Sequence, residues 1–301
     1  MSLWIPITIA AAFLQNLRSA LQKHLKGVMG TTGATFVRFG FGAPFALVFV
    51  ALLHFWAGYA FPPVGREFLV HAAIGGLAQI AGTFLLVYLF SFRNFVVGTA
   101  YSKTEPLQAA GFGFLILGEA VSPATLAAII VGIFGVLLIS LARTSLTRGS
   151  MLSAVASRPA LIGIASGAAF GISAVAYRGA SLSLGGPNFV MQAAVTLAFV
   201  TVFQTAVMLV WMAAREPGEL ARIASAWRPS LLVGMAGITA SAGWFTAMTI
   251  EKVAYVRALG QIELVFTFAA SVFVFRETVT RLEIAGTLLI IAGIVALLYF
   301  R

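Results

Sequence analysis

The chain has 301 residues, of which 60% are hydrophobic and 9% are charged, and its mean hydropathy is +1.01. A soluble globular protein carries about 25% charged residues, so this composition excludes an ordinary soluble domain and indicates an integral membrane protein. There is no cysteine, which excludes disulfides and thiolate metal sites. The net charge is +10, and its distribution along the chain decides whether it indicates nucleic acid, anionic lipid or membrane topology.

Ten predominantly apolar segments follow one another, and most are long enough to cross about 30 Å of hydrocarbon. Each is predicted to be a helix, because a helix satisfies its own backbone hydrogen bonds in lipid. The predicted spans are 3–22, 34–56, 69–91, 95–117, 123–142, 159–181, 188–213, 229–250, 254–275 and 281–300. The first span is not a cleavable signal, because Arg18, Lys23 and Lys26 follow its apolar core instead of preceding it. The loops are too short for a soluble catalytic domain.

Lysine and arginine are unevenly divided between the loops. Five lie at even-numbered loops or the termini: Arg66, Arg178, Lys252, Arg257 and Arg301. Thirteen lie at or beside odd-numbered loops: Arg18, Lys23, Lys26, Arg38, Arg93, Arg143, Arg148, Arg158, Arg215, Arg222, Arg228, Arg276 and Arg281. The positive-inside rule therefore predicts cytoplasmic odd loops, with both termini outside, in the periplasm. Topology accounts for the basic charge, so the partner expected is the lipid bilayer and not nucleic acid.

An internal repeat appears when the chain is aligned with itself at an offset of 158 residues. "YSKTEPLQAAGFGFLILGEAV" then lies on "LGQIELVFTFAASVFVFRETV", with Glu105 on Glu263 and Glu119 on Glu277. Chance explains two coinciding glutamate pairs poorly, because the whole chain has nine acidic residues. We expect two homologous five-helix halves, 1–148 and 149–301. Five is odd, so the second half enters the membrane inverted, which is typical of transporters with a site at the midplane.

The segment "TEPLQAAGFGFLILGEAVSPATLAAIIVGIFGVLLI" resembles the signature of the EamA-type members of the drug/metabolite transporter superfamily. A Glu-Pro pair opens a helix, Gly-Glu ends it, and a glycine-containing helix follows. The second copy is similar, with Leu264 in place of proline. The resemblance implies an all-α integral membrane protein with ten transmembrane helices, arranged as two inverted five-helix repeats around a central cavity.

A finer resemblance concerns the chain length and the first helix, "QNLRSALQKHL". Both are similar to the YddG-like amino-acid exporters. This resemblance implies the export of aromatic and other neutral amino acids across the inner membrane of a bacterium.

Charged residues inside a membrane span are candidates for function, since each costs about 2.5 to 3.5 kcal/mol on insertion scales. Lys103 and Glu105 are two residues apart, so on a helix they point about 200° apart and each needs another partner. Pro106 invites a kink beside them. One face of this span carries a polar and aromatic stripe at helical spacing: Tyr101, Glu105, Gln108 and Phe112.

The alternative is a purely structural role, in which Glu105 and Glu263 only join neighbouring helices, as polar residues in membrane bundles commonly do. Glu119 and Glu277 stand at helix ends and are predicted to be structural.

An amino-acid substrate needs an acceptor for its ammonium group, donors for its carboxylate and an apolar wall for its side chain. The candidates for the ammonium are Glu105, Glu263 and helix carbonyl groups. The candidates for the carboxylate are Lys103, Gln79, Gln108, Asn16 and Gln261. The candidates for the wall are Tyr88, Tyr101, Trp244, Tyr177 and Phe170. Trp244 and Tyr101 are favoured because each is mid-helix with a polar atom that needs a partner.

Two other classes compete with amino-acid export. An intramembrane enzyme would need a nucleophile, a metal site or a carboxylate pair, but the chain has no cysteine or aspartate, and His24, His54 and His71 lack ligand spacing. We therefore expect no enzyme, no metal and no cofactor. A proton-coupled multidrug exporter is the alternative within transport, although the first helix offers Asn16 and Arg18 where small members of the superfamily use a glutamate. A monomer is expected.

Overall fold

The computed structural model describes residues 2–92, 95–142, 157–186, 188–273, 276 and 279–300, and every regular element within these ranges is an α-helix. The first half contains α1 (Trp4–Leu25), α2 (Thr31–Gly40), α3 (Ala43–Phe55), α4 (Arg66–Leu89), α5 (Phe95–Ser102), α6 (Glu105–Leu117) and α7 (Pro123–Ala142). The second half contains α8 (Arg158–Ser183), α9 (Phe189–Arg215), α10 (Pro217–Ser225), α11 (Trp227–Ile250), α12 (Val253–Leu259), α13 (Ile262–Phe273) and α14 (Arg281–Tyr299). The predicted boundary at 148/149 lies outside the described residues.

Three predicted spans are broken into two helices each, which corrects the prediction of continuous helices there. Span 34–56 is divided into α2 and α3, span 95–117 into α5 and α6, and span 254–275 into α12 and α13. The other seven predicted spans correspond to single helices. A short additional helix, α10, follows α9 in a stretch where the sequence predicted a loop.

Seven helical segments among the described residues are long and apolar enough to cross a bilayer. They are Thr31–Phe55, Arg66–Leu89, Pro123–Ser140, Arg158–Ser183, Phe189–Arg215, Trp227–Ile250 and Arg281–Tyr299. The other three predicted spans are α1, which carries Gln15, Asn16, Arg18 and Gln22, and the two broken pairs, in which no helix exceeds 13 residues. The total of ten spans therefore stays a prediction.

The breaks in α5–α6 and α12–α13 fall within one residue of equivalent positions at the 158-residue offset. In the first half, Pro106 stands in the first turn of α6, where a proline costs no helical hydrogen bond. In the second half Leu264 replaces it, and the break occurs without proline. There Gly260 allows close approach, since a Cβ atom would overlap the ring of Trp244. Equivalent helices are thus interrupted with different residues, Pro106 in the first half and Gly260 in the second.

Helix packing repeats between the halves. The most extensive contacts are α4 with α8, α1 with α11, and α7 with α14. When each helix is replaced by its equivalent in the other half, the pair α4–α8 becomes α11–α1, and the pair α7–α14 is unchanged. The backbone repeats as well, because Gly118 and Arg276, equivalent at the offset of 158, both adopt left-handed conformations with φ of 68° and 53°. The duplication read from the glutamate pairs is therefore visible in the contacts and in the backbone.

A ridge of small residues on α8 receives the broken helix α5–α6. Gly163 faces Gly98, whose carbonyl oxygen a Cβ atom would overlap. One turn on, Gly167 faces the carbonyl oxygen of Ser102 at the break, and Gly171 faces α6. Small residues let helix backbones approach closely in membranes. The break is consequently held against α8, the most buried of the seven helical segments that could cross a bilayer.

One buried link between the halves lies at the odd-loop face. The carboxylate of Glu219 in α10, 2% exposed, accepts a hydrogen bond of 2.9 Å from the backbone N–H of Gly30, the residue before α2. It also forms an ion pair with Arg222. A carboxylate at the start of a helix satisfies an unpaired N–H, and its negative charge interacts favourably with the positive end of the helix dipole.

A second link lies at the even-loop face. Arg178 Nε of α8 is 2.6 Å from Glu119 Oε1 at the end of α6. Arg178 Nη1 also donates to the carbonyl oxygens of Met248 and Glu251 at the end of α11. Glu119 thus has the structural contacts predicted for it, while Glu277 lies outside the described residues.

Candidate functional site

A cavity lies between the halves, beside both helix breaks. Ser102, Lys103 and Glu105 line it from the first break, and Arg257 of α12 lines it next to the second. Helices α1, α2, α4, α8 and α11 complete the wall. Interrupted helices that meet at the contact of two repeats are the usual position of a transport site.

Five of the residues predicted to bind substrate line this cavity. They are Gln79, Lys103, Glu105, Tyr177 and Trp244, and Phe170 of the predicted apolar wall lines it too. Phe245 and Met248 extend the apolar side. The cavity therefore combines charged, amide and aromatic groups, as in the predicted composition.

Three more predicted residues lie directly behind the lining. Glu263, 8% exposed, forms an ion pair with Lys103. Gln261 donates to the carbonyl oxygen of Lys103 at 3.4 Å, and Asn16 donates to the Thr267 hydroxyl at 2.8 Å. These contacts hold α1, α13 and the first break together.

The remaining three predicted residues lie outside the lining. Gln108 donates to the Thr104 hydroxyl at 2.7 Å, and Tyr88 is 41% exposed. Tyr101 lies in α5, whereas Glu105 begins α6. The predicted stripe through Tyr101 and Glu105 is therefore not the face of one continuous helix, because the helix is interrupted at Lys103 and Thr104 between them.

Two ion pairs cross from one half to the other at the cavity, in addition to the Arg178–Glu119 pair at the even-loop face. Glu105 Oε1 is 2.8 Å from Arg257 Nε, and Lys103 pairs with Glu263. These pairs supply the partners that Lys103 and Glu105 were predicted to need. The Glu105 and Arg257 side chains are 14% and 10% exposed, so the charges are largely removed from solvent.

Trp244 forms the aromatic side of the charged region. The guanidinium carbon of Arg257 lies 4.8 Å from the centroid of its ring, within the range of a cation–π contact. The indole Nε1 of Trp244 is buried and has no hydrogen-bond partner among the described residues. The sequence predicted that this polar atom would need a partner, and the cavity gives a ligand access to that side chain.

Arg18 and Arg38 line the cavity as well, and the sequence reasoning missed both together with Arg257. The positive-inside rule counts all three among the cations beside loops. A usable signal existed, because each falls inside a predicted span, where an ionisable residue indicates function. Without these three, eleven cations remain at odd loops and four at even loops and termini. The orientation with both termini outside thus stays the prediction.

The contacts of Arg38 are all with neutral groups. It donates to the hydroxyls of Thr83 at 3.2 Å and Ser241 at 3.4 Å. The Gln79 amide, turned so that its oxygen faces Arg38, accepts from Nη1 at 2.7 Å and donates to Ser173 at 2.6 Å. Arg38 is held firmly, but its charge is not compensated by a contacting carboxylate.

The sequence of both halves matches the EamA-like transporter family, over residues 2–141 and 157–299. The chain belongs to the EamA-like transporter family. It is thus a multi-pass membrane transporter of the drug/metabolite superfamily. A solved crystal structure is similar over 100% of this chain and 97% of its own, with a TM-score of 0.75 and 19% sequence identity. Likeness at this identity shows the fold alone. None of the curated proteins matches the chain.

A second, smaller cavity adjoins the first in this EamA-like transporter. Five residues line both: Arg38, Gln79, Tyr177, Ser241 and Phe245. Tyr177 is fixed by Gln204, whose amide donates to the phenol oxygen at 2.9 Å. Within the described residues, no group of three or more His, Cys, Asp or Glu is placed to hold a metal ion.

Proposed function

We propose that this EamA-like protein is a secondary transporter that exports neutral and aromatic amino acids from the bacterial cytoplasm by alternating access. One observation carries the proposal: the cavity joins both helix breaks, charged groups of both signs and an aromatic wall at the contact between the two halves. A zwitterion with an apolar side chain requires these three kinds of contact.

The arginines provide for the carboxylate of such a substrate. Arg18 and Arg38 are lined up on the cavity wall, and hydrogen bonds from a guanidinium to a carboxylate are about twice as strong as neutral ones. The side chain would lie against Phe170, Tyr177 and Trp244. The ammonium would approach Glu105, competing there with Arg257.

Alternating access would act on the two ion pairs that cross between the halves at the cavity. Glu105–Arg257 and Lys103–Glu263 each tie an element of one half to an element of the other. When the halves rock, these contacts must lengthen or exchange. A bound zwitterion can replace a lost partner on either side, which lowers the cost of the movement for the loaded transporter.

The alternative of a proton-coupled multidrug exporter is less well supported by the charges of the site. Four cations line the cavity, namely Arg18, Arg38, Lys103 and Arg257, and among the described residues only Glu105 and the adjacent Glu263 oppose them. Like charges in a low-dielectric site repel strongly. A cationic drug would therefore bind poorly unless a lysine or an arginine moved away.

The function can be tested with purified protein in liposomes loaded with radiolabelled phenylalanine, threonine, uridine or ethidium. We expect release of phenylalanine that other neutral amino acids suppress, and the effect of an imposed pH gradient reports on proton coupling. Release of ethidium alone, driven by protons, would overturn the proposal in favour of the multidrug alternative.

Two variants test the site itself. Glu105→Gln and Trp244→Ala are expected to lower transport more than expression, because both residues line the cavity. Glu67→Gln and Trp211→Ala are the matched controls, because both residues are exposed and neither lines the cavity. Unchanged transport in both cavity variants would show that neither Glu105 nor Trp244 takes part in substrate binding.

A further inference from the structure

Two arginine side chains run side by side along one wall of the cavity. A Cβ atom added to Gly237 of α11 would lie 3.3 Å from Arg18 Cδ and 3.3 Å from Arg38 Cγ. The absence of a side chain at Gly237 makes room for both stems. Two cations from α1 and α2 are thus brought to one place on the cavity surface.

Arg18 has donors that nothing in the described protein satisfies. It is 4% exposed, and its Nη2 donates to the Ser19 hydroxyl at 3.3 Å. Its Nε and Nη1 are buried and have no hydrogen-bond partner. The indole Nε1 of Trp244 is a third buried donor on the same cavity without a partner. Unsatisfied buried donors are costly and indicate a missing acceptor.

Each carboxylate of the site is already in an ion pair, although Glu105 Oε1 and Arg257 Nε make no hydrogen bond within the described residues. Glu105 is paired with Arg257, and Glu263 is paired with Lys103 and also accepts from Gln15 Nε2 at 3.2 Å. The ammonium of an amino acid would have to displace one of these cations. The carboxylate of the same molecule would meet free donors and two positive charges that no ion pair within the described residues compensates.

We propose, on the basis of the transport function above, that the cavity selects its substrate by the carboxylate and not by the ammonium. The substrate class then includes monocarboxylates with an aromatic or branched side group and no amino group, such as 2-hydroxy and 2-oxo acids. The carboxylate accepts hydrogen bonds from Arg18 and neutralises the arginine pair. The apolar group packs against Trp244 and Phe170.

Three ligands with one phenyl side chain separate the two charges. L-3-phenyllactate has the carboxylate and a hydroxyl in place of the ammonium, L-phenylalanine has both charges, and phenylalaninol has the ammonium alone. Calorimetry on the purified protein in detergent gives their affinities. We expect phenyllactate to bind at least as tightly as phenylalanine, and both to bind about tenfold more tightly than phenylalaninol, since a hydrogen bond to a charged group is worth about 1.5–3 kcal/mol.

Substitution of the arginines makes the test residue-specific. Arg18→Gln is expected to weaken phenyllactate binding about tenfold and to leave phenylalaninol binding unchanged or stronger. Arg18→Lys should recover part of the loss. Arg215→Gln, at an exposed position at the end of α9, is the matched control and should change neither affinity. Equal weakening of both ligands by Arg18→Gln would overturn the assignment.

The outcomes separate this inference from the proposed function. Export of phenylalanine by the wild-type protein, with phenyllactate binding tenfold more weakly than phenylalanine, would overturn the inference and leave the exporter standing. Tight binding of phenyllactate without transport of any of the three ligands would support recognition of the carboxylate and overturn the exporter. The comparison of ligands uses the wild-type protein, so it does not depend on any variant folding.

Discussion

The ion pair between Glu105 and Arg257 gives a quantitative prediction for a double-mutant cycle. The two groups are 2.8 Å apart, and their side chains are 14% and 10% exposed. Removing one member of a buried pair costs about 3 to 5 kcal/mol, because the other charge is left buried and unpaired. With this residual exposure we expect the lower end, about 3 kcal/mol, for Glu105→Gln and for Arg257→Gln alone.

The double variant should lose much less stability than the sum of the single variants. No charge is left unpaired when both are replaced, so the coupling energy is expected to be about 2 kcal/mol. Arg257→Gln also removes the cation–π contact with Trp244. That loss occurs in both the single and the double variant, so it cancels from the coupling energy.

The free energy of unfolding can be measured by titrating the purified protein in mixed micelles with sodium dodecyl sulfate. Glu119→Gln is the matched control, because Glu119 is 15% exposed and forms a 2.6 Å ion pair with Arg178 outside the cavity. It should lower stability similarly and leave ligand binding unchanged. A coupling energy below about 0.5 kcal/mol, the range of independent sites, would refute the reasoning that Glu105 and Arg257 act as a pair.

Three further predictions concern packing and backbone. Gly163→Leu should prevent normal folding, because its side chain would overlap the Gly98 carbonyl, and an unchanged yield of folded protein in size-exclusion chromatography would contradict this. Arg276→Gly should raise the free energy of unfolding by about 1 kcal/mol, since a left-handed conformation costs a non-glycine residue about that much; a lower melting temperature would argue against it. Glu219→Gln should lower stability by about 1–3 kcal/mol, because the Gly30 N–H and Arg222 lose their charged partner, and Glu67→Gln is the exposed control.

The repeat could be predicted from the sequence because acidic residues are so rare in this chain. Glu105 and Glu263 coincide at one offset, and the fold places both at the starts of the helices that follow the breaks. The breaks themselves were only partly predictable. Pro106 marks the first, but the second has Leu264 at that position and depends on the packing of Trp244 against Gly260, which involves another helix.

The arginines of the site could not be identified from the same evidence. A cation near the end of a span is equally compatible with a loop charge, and helix rotation decides whether it faces a cavity. Arg18 and Arg38 meet only because α1 and α2 both pass Gly237, a contact without a signal in the linear sequence. Tyr88 shows the opposite case, since an aromatic residue at a plausible depth faces outward at 41% exposure.

The two ion pairs that cross between the halves at the cavity are not equivalent under the repeat. Their acids are equivalent at the 158-residue offset, but their bases are not: Gln261 stands at the equivalent of Lys103, and Thr99 at the equivalent of Arg257. If the halves were identical, the conformations open to the two sides would be related by symmetry and equally populated. The unequal bases remove that degeneracy, so the empty protein is expected to have a preferred resting orientation set by the placement of two cations.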